Sequence, residues 1–208
     1  MDRAEWDARY AATDLLWSAE PNQFVEAEVA DLPAGRMLDL AAGEGRNAIW
    51  LAENGWQATA VDFSRVALQK AAHLAVARGV DLDVVEADVT TYEPDAGAYD
   101  LVIVAYLQTG DAARDAWLTR AARAVAPGGT LLIVGHDRTN LDGGYGGPQD
   151  AAVLTTPDEL AATLAASGDL VIEKAQTVER HVETADGPRV AIDHLVRARR
   201  LAGPNGSD

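Results

Sequence analysis

The chain has 208 residues, 48% hydrophobic and 24% charged, the balance of a single globular domain with a sizeable core. Its net charge of −16 argues against binding a nucleic-acid backbone, which needs clustered Lys and Arg to displace counterions. No cysteine is present, which excludes disulfides, thiolate metal sites and cysteine nucleophiles.

The N-terminal Met-Asp-Arg-Ala-Glu-Trp-Asp is charged, and the longest apolar run, Leu101 to Leu107, is too short to cross a bilayer. The expectation is a soluble, cytoplasmic protein with neither a membrane nor a nucleic-acid partner. Trp6, Tyr10 and Trp17 have partly helical spacing, so residues 1–34 read as a helical cover ahead of the first strand. Short apolar runs then alternate with helix-length periodic stretches, the pattern of a parallel sheet covered by helices. Strands are expected at 36–40, 57–61, 82–86, 99–105 and 130–134, with helices at 46–54, 65–78 and 112–125. Asn54-Gly55 and Arg78-Gly79 are glycine C-caps, Ser64 an N-cap, and Thr156-Pro157-Asp158-Glu159 a capping box with Pro at the first helical position. Two β-rich runs, 170–183 and 189–201, flank an Asp-Gly turn and read as an antiparallel hairpin. The expected domain is one unit over 1–201, with a core at 36–135, a substrate-side loop, helix and hairpin at 136–201, and a flexible tail at 202–208.

In an open parallel sheet, ligands bind beyond the carboxyl ends of the strands, where the first strand-loop-helix lies. Here that unit is "MLDLAAGEGRNAIWLA", whose Gly43-Glu44-Gly45-Arg46-Asn47-Ala48 fits G-x-G-x-x-G/A. Gly43 and Gly45 allow close approach or positive φ, and Asn47 with the free N–H groups of the helix start supplies donors. Asp62 follows the second strand about 20 residues on, the place of a ribose-binding acid. A nucleoside ligand is indicated over a plain tight turn. Charge then divides the nucleoside candidates. Asp39 ends the strand and Glu44 sits in the turn, and two unit charges about 4 Å apart at an effective dielectric of about 20 interact by about 4 kcal/mol. Such acids penalise a pyrophosphate and favour the sulfonium and ammonium of S-adenosylmethionine (SAM).

The same stretch resembles motif I of the class I SAM-dependent methyltransferases. "ATAVDFS", "VVEADVTTYEP", "YDLVIVAYLQ" and "APGGTLLIVG" resemble the following motifs in order, so the likeness runs from about Arg36 to Gly135. One departure stands out: Ala41 takes the place of the first motif glycine. "EWDARYAATDLLWSAEPNQF" and "GRNAIWLA" resemble the small tellurite-resistance and thiopurine-type methyltransferases. The resemblance implies a Rossmann-like, doubly wound, mainly parallel seven-stranded α/β sheet ending in an antiparallel hairpin. It implies SAM as cofactor and S-adenosylhomocysteine (SAH) as product.

By the same likeness, Asp39 holds the methionine ammonium, Gly43 and Gly45 pass the methionine and ribose, and Asp62 takes the ribose hydroxyls. Phe63 walls the adenine, Asp88 and the N–H of Val89 meet its amino edge, and Tyr106 lines the pocket under the sulfonium. His136, directly after the fifth strand, is a candidate base, with Asp137 orienting it and Arg138 holding an anionic substrate. Trp6, Tyr10, Trp17 and Tyr145 are candidate cover residues, and the Gly-rich 140–150 stretch reads as a lid or a plain surface loop. No metal site is expected, since Asp137 and Asn140 are too few hard ligands. The reading is a methyltransferase acting by in-line displacement on a small-molecule or metalloid acceptor. A nicotinamide-dependent oxidoreductase and a SAM-binding module without turnover are the alternatives.

Overall fold

A computed structural model describes residues 1–202 of the chain; the expected flexible tail falls, from residue 203, outside the described residues. The strands owe their burial to alternation. In β1 (Arg36–Leu40), β4 (Tyr99–Ala105) and β5 (Val125–His136), successive apolar side chains enter opposite faces of the sheet. Leu38, Leu40, Val102, Val104, Leu131 and Ile133 feed a core under α5 (Asp111–Ala124) and α6 (Pro157–Ala165). Met37, Leu101, Ile103, Leu132 and Val134 feed a second core under α2 (Gln23–Val29), α3 (Arg46–Glu53) and α4 (Arg65–Arg78). With both faces covered, the central strands are apolar throughout, as parallel strands require.

Seven strands lie in the order β3-β2-β1-β4-β5-β7-β6, where β2 is Gln57–Asp62, β3 Leu82–Glu86, β6 Leu170–Thr184 and β7 Gly187–Arg200. All pairings are parallel except those of β7, which runs antiparallel to β5 and β6. This is the doubly wound sheet with a terminal hairpin that the sequence led us to expect. The order reverses between β1 and β4, so the crevice expected at such a switch point falls beyond Leu40 and Ala105. β7 reaches that crevice from the far side, placing Asp193 opposite His136 and His194 opposite Gly135.

Most boundaries match the expected ones within a residue or two, but β5 begins five residues early, at Val125 rather than 130. A register shift between Tyr99 and Leu101 absorbs the turn-forming Pro127-Gly128-Gly129, so pairing continues across it. At the N-terminus, α1 (Arg3–Ala11) starts from an Asp2 capping box with Glu5, and Asn22 caps α2 through the N–H groups of Phe24 and Val25. Among the described residues no helix is long and apolar enough to cross a membrane.

Candidate active site

The loop between β1 and α3 is shaped by residues with positive φ. Gly43 and Gly45 stand at φ 56° and 74°, and Ala41, in the place of the first motif glycine, adopts φ 61° all the same. An L-residue pays about 1–2 kcal/mol to sit there, so the loop demands this backbone whatever the side chain. Each glycine also meets a close neighbour. A Cβ on Gly43 would lie 2.8 Å from the Tyr10 hydroxyl, and one on Gly45 would lie 2.9 Å from the Ala71 side chain on α4. The loop is clamped from the next strand by Asp62, which is only 4% exposed. Its carboxylate accepts from the N–H of Gly43 and of Ser64, both at 2.8 Å. Each oxygen keeps a second lone pair for a ligand hydroxyl.

Among the described residues Asp39 is the least satisfied buried carboxylate. It is 1% exposed, and neither carboxylate oxygen has a hydrogen-bond partner. Burial pushes its pKa up to about 7, although the nearby Arg46 guanidinium pulls it back. Arg46, at the first position of α3, went unnoticed in the sequence. Burial depresses its pKa, while Tyr106, Asp39 and Tyr10 attract its charge and Arg180 repels it. Those neighbours place Arg46 at the junction of the β1 and β4 ends. A cation at a helix N-terminus opposes the helix dipole, and that mismatch was the signal available in the sequence.

The N-terminal segment closes over this loop. Tyr10 is buried against Gly43, stacks on Trp6 at 5.6 Å, and has its hydroxyl pKa pushed up to about 12 by burial and by Asp62. Asp7 accepts from the Ser64 hydroxyl, and Asn22 donates its N–H to Asn47 Oδ1 at 2.9 Å. Asn47 spends its carbonyl on tethering the cover and keeps its amide N–H groups as donors. One expectation changes here. Glu44, which counted as part of the charge facing a ligand, turns away from the crevice: it is 4% exposed and accepts from the N–H groups of Leu16 and Trp17. Lys70 neutralises it at 3.0 Å and also donates to the carbonyls of Tyr10 and Thr13. Trp17 contributes its backbone, while the residue itself is 45% exposed. That leaves Asp39 and Asp62 as the buried acids near the carboxyl ends of β1 and β2.

Beyond Tyr106, four side chains converge. Tyr106 adopts φ 58° as the chain leaves β4 and donates its hydroxyl to Asp193 at 2.6 Å, while Asn22 Nδ2 donates to the same hydroxyl at 3.3 Å. Strained non-glycine backbone concentrates at functional sites. Asp193, fully buried, also accepts from Arg180 Nε at 2.7 Å and lies 3.2 Å from His136 Nδ1, off the line of a well-formed hydrogen bond. Burial opposes its charge, but His136, Arg180 and Tyr106 outweigh it and hold the pKa below the usual carboxylate range. The His136 ring lies 4.9 Å from that of Tyr106, and the Arg180 guanidinium is 5.7 Å above the Tyr106 ring. Behind His136, a narrow cavity runs toward α5 and α6 between Thr109, Arg114, Trp117 and His194. Burial drives the His194 pKa down to about 4, so that imidazole is neutral.

Asp193 and Arg180 were not anticipated, because only the hairpin register brings them to the end of β5. They displace two expected partners. Asp137 does not orient His136: it is fully buried, and its Oδ1 caps the following 3-10 turn at Thr139. Arg138 is not free to hold a substrate, since it forms a paired contact with Glu159 at 2.7 and 2.8 Å and donates to Leu154 O. Tyr145 does not lie over the loop either. It shares a surface depression with Thr184, Asp186 and Arg189 at the hairpin tip, and its N–H donates to Val190 O. The Gly-rich segment does reach the site through Gly147, where a Cβ would come within 3.0 Å of the His136 ring. Its start is fixed, because Asn140 is buried and bonded to Ile192 N and Gly146 O. Asp88, exposed, caps the turn at Thr90 through Oδ1; Val89 is buried beneath it and Phe63 is half-buried beyond Asp62.

Residues 37–129 match the family model described as a methyltransferase domain. Over this core the chain is similar to the class I SAM-dependent methyltransferases. Over 123 residues it is 35% identical to the demethylmenaquinone methyltransferase of Thermus thermophilus, covering 58% of this chain and 54% of that one. It thus spans about half the length of that relative. Over 150 residues it is 28% identical to the 2-heptyl-1-hydroxyquinolin-4(1H)-one methyltransferase of Mycobacteroides abscessus, covering 65% of each. Among solved structures, the N-methyltransferase NodS of Bradyrhizobium japonicum, in complex with SAH, aligns with TM-score 0.69 at 16% identity over 95% of this chain and 97% of its own. TehB of Haemophilus influenzae aligns with TM-score 0.69 at 15% identity over 94% and 67%. At these identities the structural likeness speaks for the fold alone.

The family's cofactor is SAM, and the site's own residues fit it. A buried carboxylate with both oxygens unpartnered calls for a cation, which an ammonium supplies and a pyrophosphate does not. Arg46 beside it offers a partner for the carboxylate of the same amino-acid end, and Asp62 is already oriented by two backbone donors.

Proposed function

We propose that the protein transfers the SAM methyl group to a small-molecule acceptor, and the observation that carries this reading is the unpartnered Asp39 carboxylate beneath a closed cover. Asp39 and Arg46 hold the methionine end, and Asp62 holds the ribose hydroxyls. Gly43 and Gly45 pass the backbone close to it, Phe63 walls the adenine, and Asp88 with the N–H of Val89 meets its edge. SAM supplies an electrophilic methyl on a cationic sulfur leaving group. Catalysis therefore rests on positioning the acceptor and excluding water. Tyr10, Trp6 and the segment held by Glu44 shut the solvent side, and Tyr106 fixes the floor between donor and acceptor. His136 takes the acceptor proton, its ring confined between Tyr106, Gly147 and Asp193.

The small-molecule assignment draws on the aromatic pairs Trp6–Tyr10 and Tyr106–His136 near the strand ends and on the substrates named for the demethylmenaquinone and hydroxyquinolone methyltransferases. The test is SAH release measured across hydroxylated quinones, hydroxyquinolones, thiols, selenite and tellurite, alongside thermal shifts with SAM, SAH and NADH. Stabilisation by SAM and SAH together with turnover of a panel member is expected. Stabilisation by NADH alone would overturn the reading, and SAM binding with no turnover anywhere in the panel would leave a SAM-binding module.

A further inference from the structure

We propose that Arg180 is the anion clamp of the acceptor pocket and that the acceptor is an aromatic oxygen acid, a phenol or an enol held as its oxyanion. This rests on the methyltransferase reading above and decides which acceptor atom the site serves.

Arg180 comes from β6, the edge strand of the sheet, and is turned inward by a single well-formed bond, Nε to Asp193 Oδ2 at 2.7 Å. Beyond that bond the guanidinium meets the Tyr106 ring and hydroxyl, and no terminal nitrogen has a second well-formed bond among the described residues, although the side chain is only 25% exposed. A guanidinium presents a planar fork of donors, so fixing one edge on Asp193 leaves the other to face a ligand oxygen. The guanidinium stands at the site's end of the sheet: it lies over the Tyr106 ring and close enough to Arg46 for mutual repulsion. Arg46, beside Asp39, is matched to the carboxylate at the methionine end, which leaves Arg180 for the acceptor.

The neighbouring groups narrow the class. The buried Asp193 already offsets one positive charge, that of Arg180, so a proton arriving on His136 needs a new negative partner. An acceptor O–H provides it. The O–H proton passes to His136 Nε2, an oxygen pair forms the O–CH3 bond, and the C–S pair remains on sulfur as SAH departs. The tilted Tyr106 and His136 rings, 4.9 Å apart, offer apolar faces for a planar acceptor. The fork of N–H donors favours oxygen over a soft sulfur or tellurium nucleophile.

The test compares acids with amines of the same shape: 4-nitrophenol with 4-nitroaniline, and 1-naphthol with 1-naphthylamine. Each is titrated calorimetrically into the full chain saturated with SAH, and saturation is verified by thermal shift for every variant. Wild type is expected to favour each acid over its amine by about tenfold or more, the worth of a charge-assisted hydrogen bond. Arg180→Met is expected to erase that preference while leaving amine affinity in place, and Arg180→Lys to restore part of it. Damage that is merely structural would weaken acid and amine together. Absence of the preference in wild type, its persistence in Arg180→Met, or tighter binding of selenite than of 1-naphthol would each overturn the assignment. Failure of SAH to bind at all would instead strike the underlying methyltransferase reading.

Discussion

The Tyr106 hydroxyl donates to Asp193 at 2.6 Å, joining the strained end of β4 to a residue 87 positions later in the final strand. Because Asp193 also takes Arg180 and His136, this bond ties the terminal hairpin to the crevice. Tyr106→Phe removes one donor from a buried carboxylate, and a loss of about 1–3 kcal/mol of stability is expected in chemical denaturation. Asp193→Ala, which strands a half-buried guanidinium, is expected to cost about 3–5 kcal/mol. The sign with pH follows from the depressed Asp193 pKa. Its contribution is present above the unfolded carboxylate value and is lost as pH falls through the lower folded one. Wild type is therefore expected to lose stability in strong acid relative to Asp193→Asn, which has no such group to protonate.

Asp39 behaves in the opposite sense. Its folded pKa, near 7, lies above the unfolded value of 3.8, so its contribution is full below pH 3.8 and is lost as pH rises through 7. In the ligand-free protein, Asp39→Asn is expected to raise stability at pH 8 by something on the order of 4 kcal/mol, read as a higher melting temperature, and to leave it unchanged near pH 3. The same variant is expected to lose SAH binding by calorimetry, because a neutral amide gives a buried ammonium no countercharge. For wild type, SAH affinity is expected to fall as pH drops below 7, where Asp39 must first release a proton. An Asp39→Asn protein that bound SAH normally would separate this carboxylate from the cofactor.

Glu44 and Lys70 form the fastening of the cover, 3.0 Å apart and mostly buried. Glu44→Gln removes that ion pair and weakens the grip on Leu16 and Trp17. Hydrogen exchange over residues 11–20 is expected to accelerate about tenfold or more, since 1.4 kcal/mol is a factor of ten in the opening equilibrium. NADH affinity is expected to stay unchanged, because the Glu44 charge faces the cover and not the crevice. A rise in NADH binding would restore Glu44 to the ligand side.

The contrast among these residues shows what a sequence conveys about such a site. The places of Asp39, Gly43, Gly45 and Asp62 were legible because they follow from local strand-loop-helix geometry, fixed within about 25 positions of chain. Asp193 and Arg180 were not, since nothing local distinguishes them: their places follow from the pairing of β5 with β7, and Asp193 meets His136 across 57 positions only through that register. Glu44 was misread for a related reason. Its position in the loop was right, but the direction of its side chain is set by Lys70 and by backbone donors from residues about 27 positions earlier, whose docking on the loop no local pattern announces. Arg138 was misread because Glu159, whose capping-box role at Thr156 was recognised, can bind a guanidinium at the same time.

Ala41 offers the simplest test of the loop itself. It holds φ 61° where the motif carries glycine, at a backbone cost of about 1–2 kcal/mol. Replacing it with glycine removes that cost but widens the unfolded ensemble, which takes back about 0.4–1 kcal/mol. Ala41→Gly is expected to gain about 0.5–1 kcal/mol in urea denaturation, with an unchanged dependence on denaturant. The side chain packs against the core beneath β1, so losing its methyl subtracts from the gain. A net loss of stability would mean that the packing of this methyl outweighs the backbone strain, and that the alanine is retained for the core.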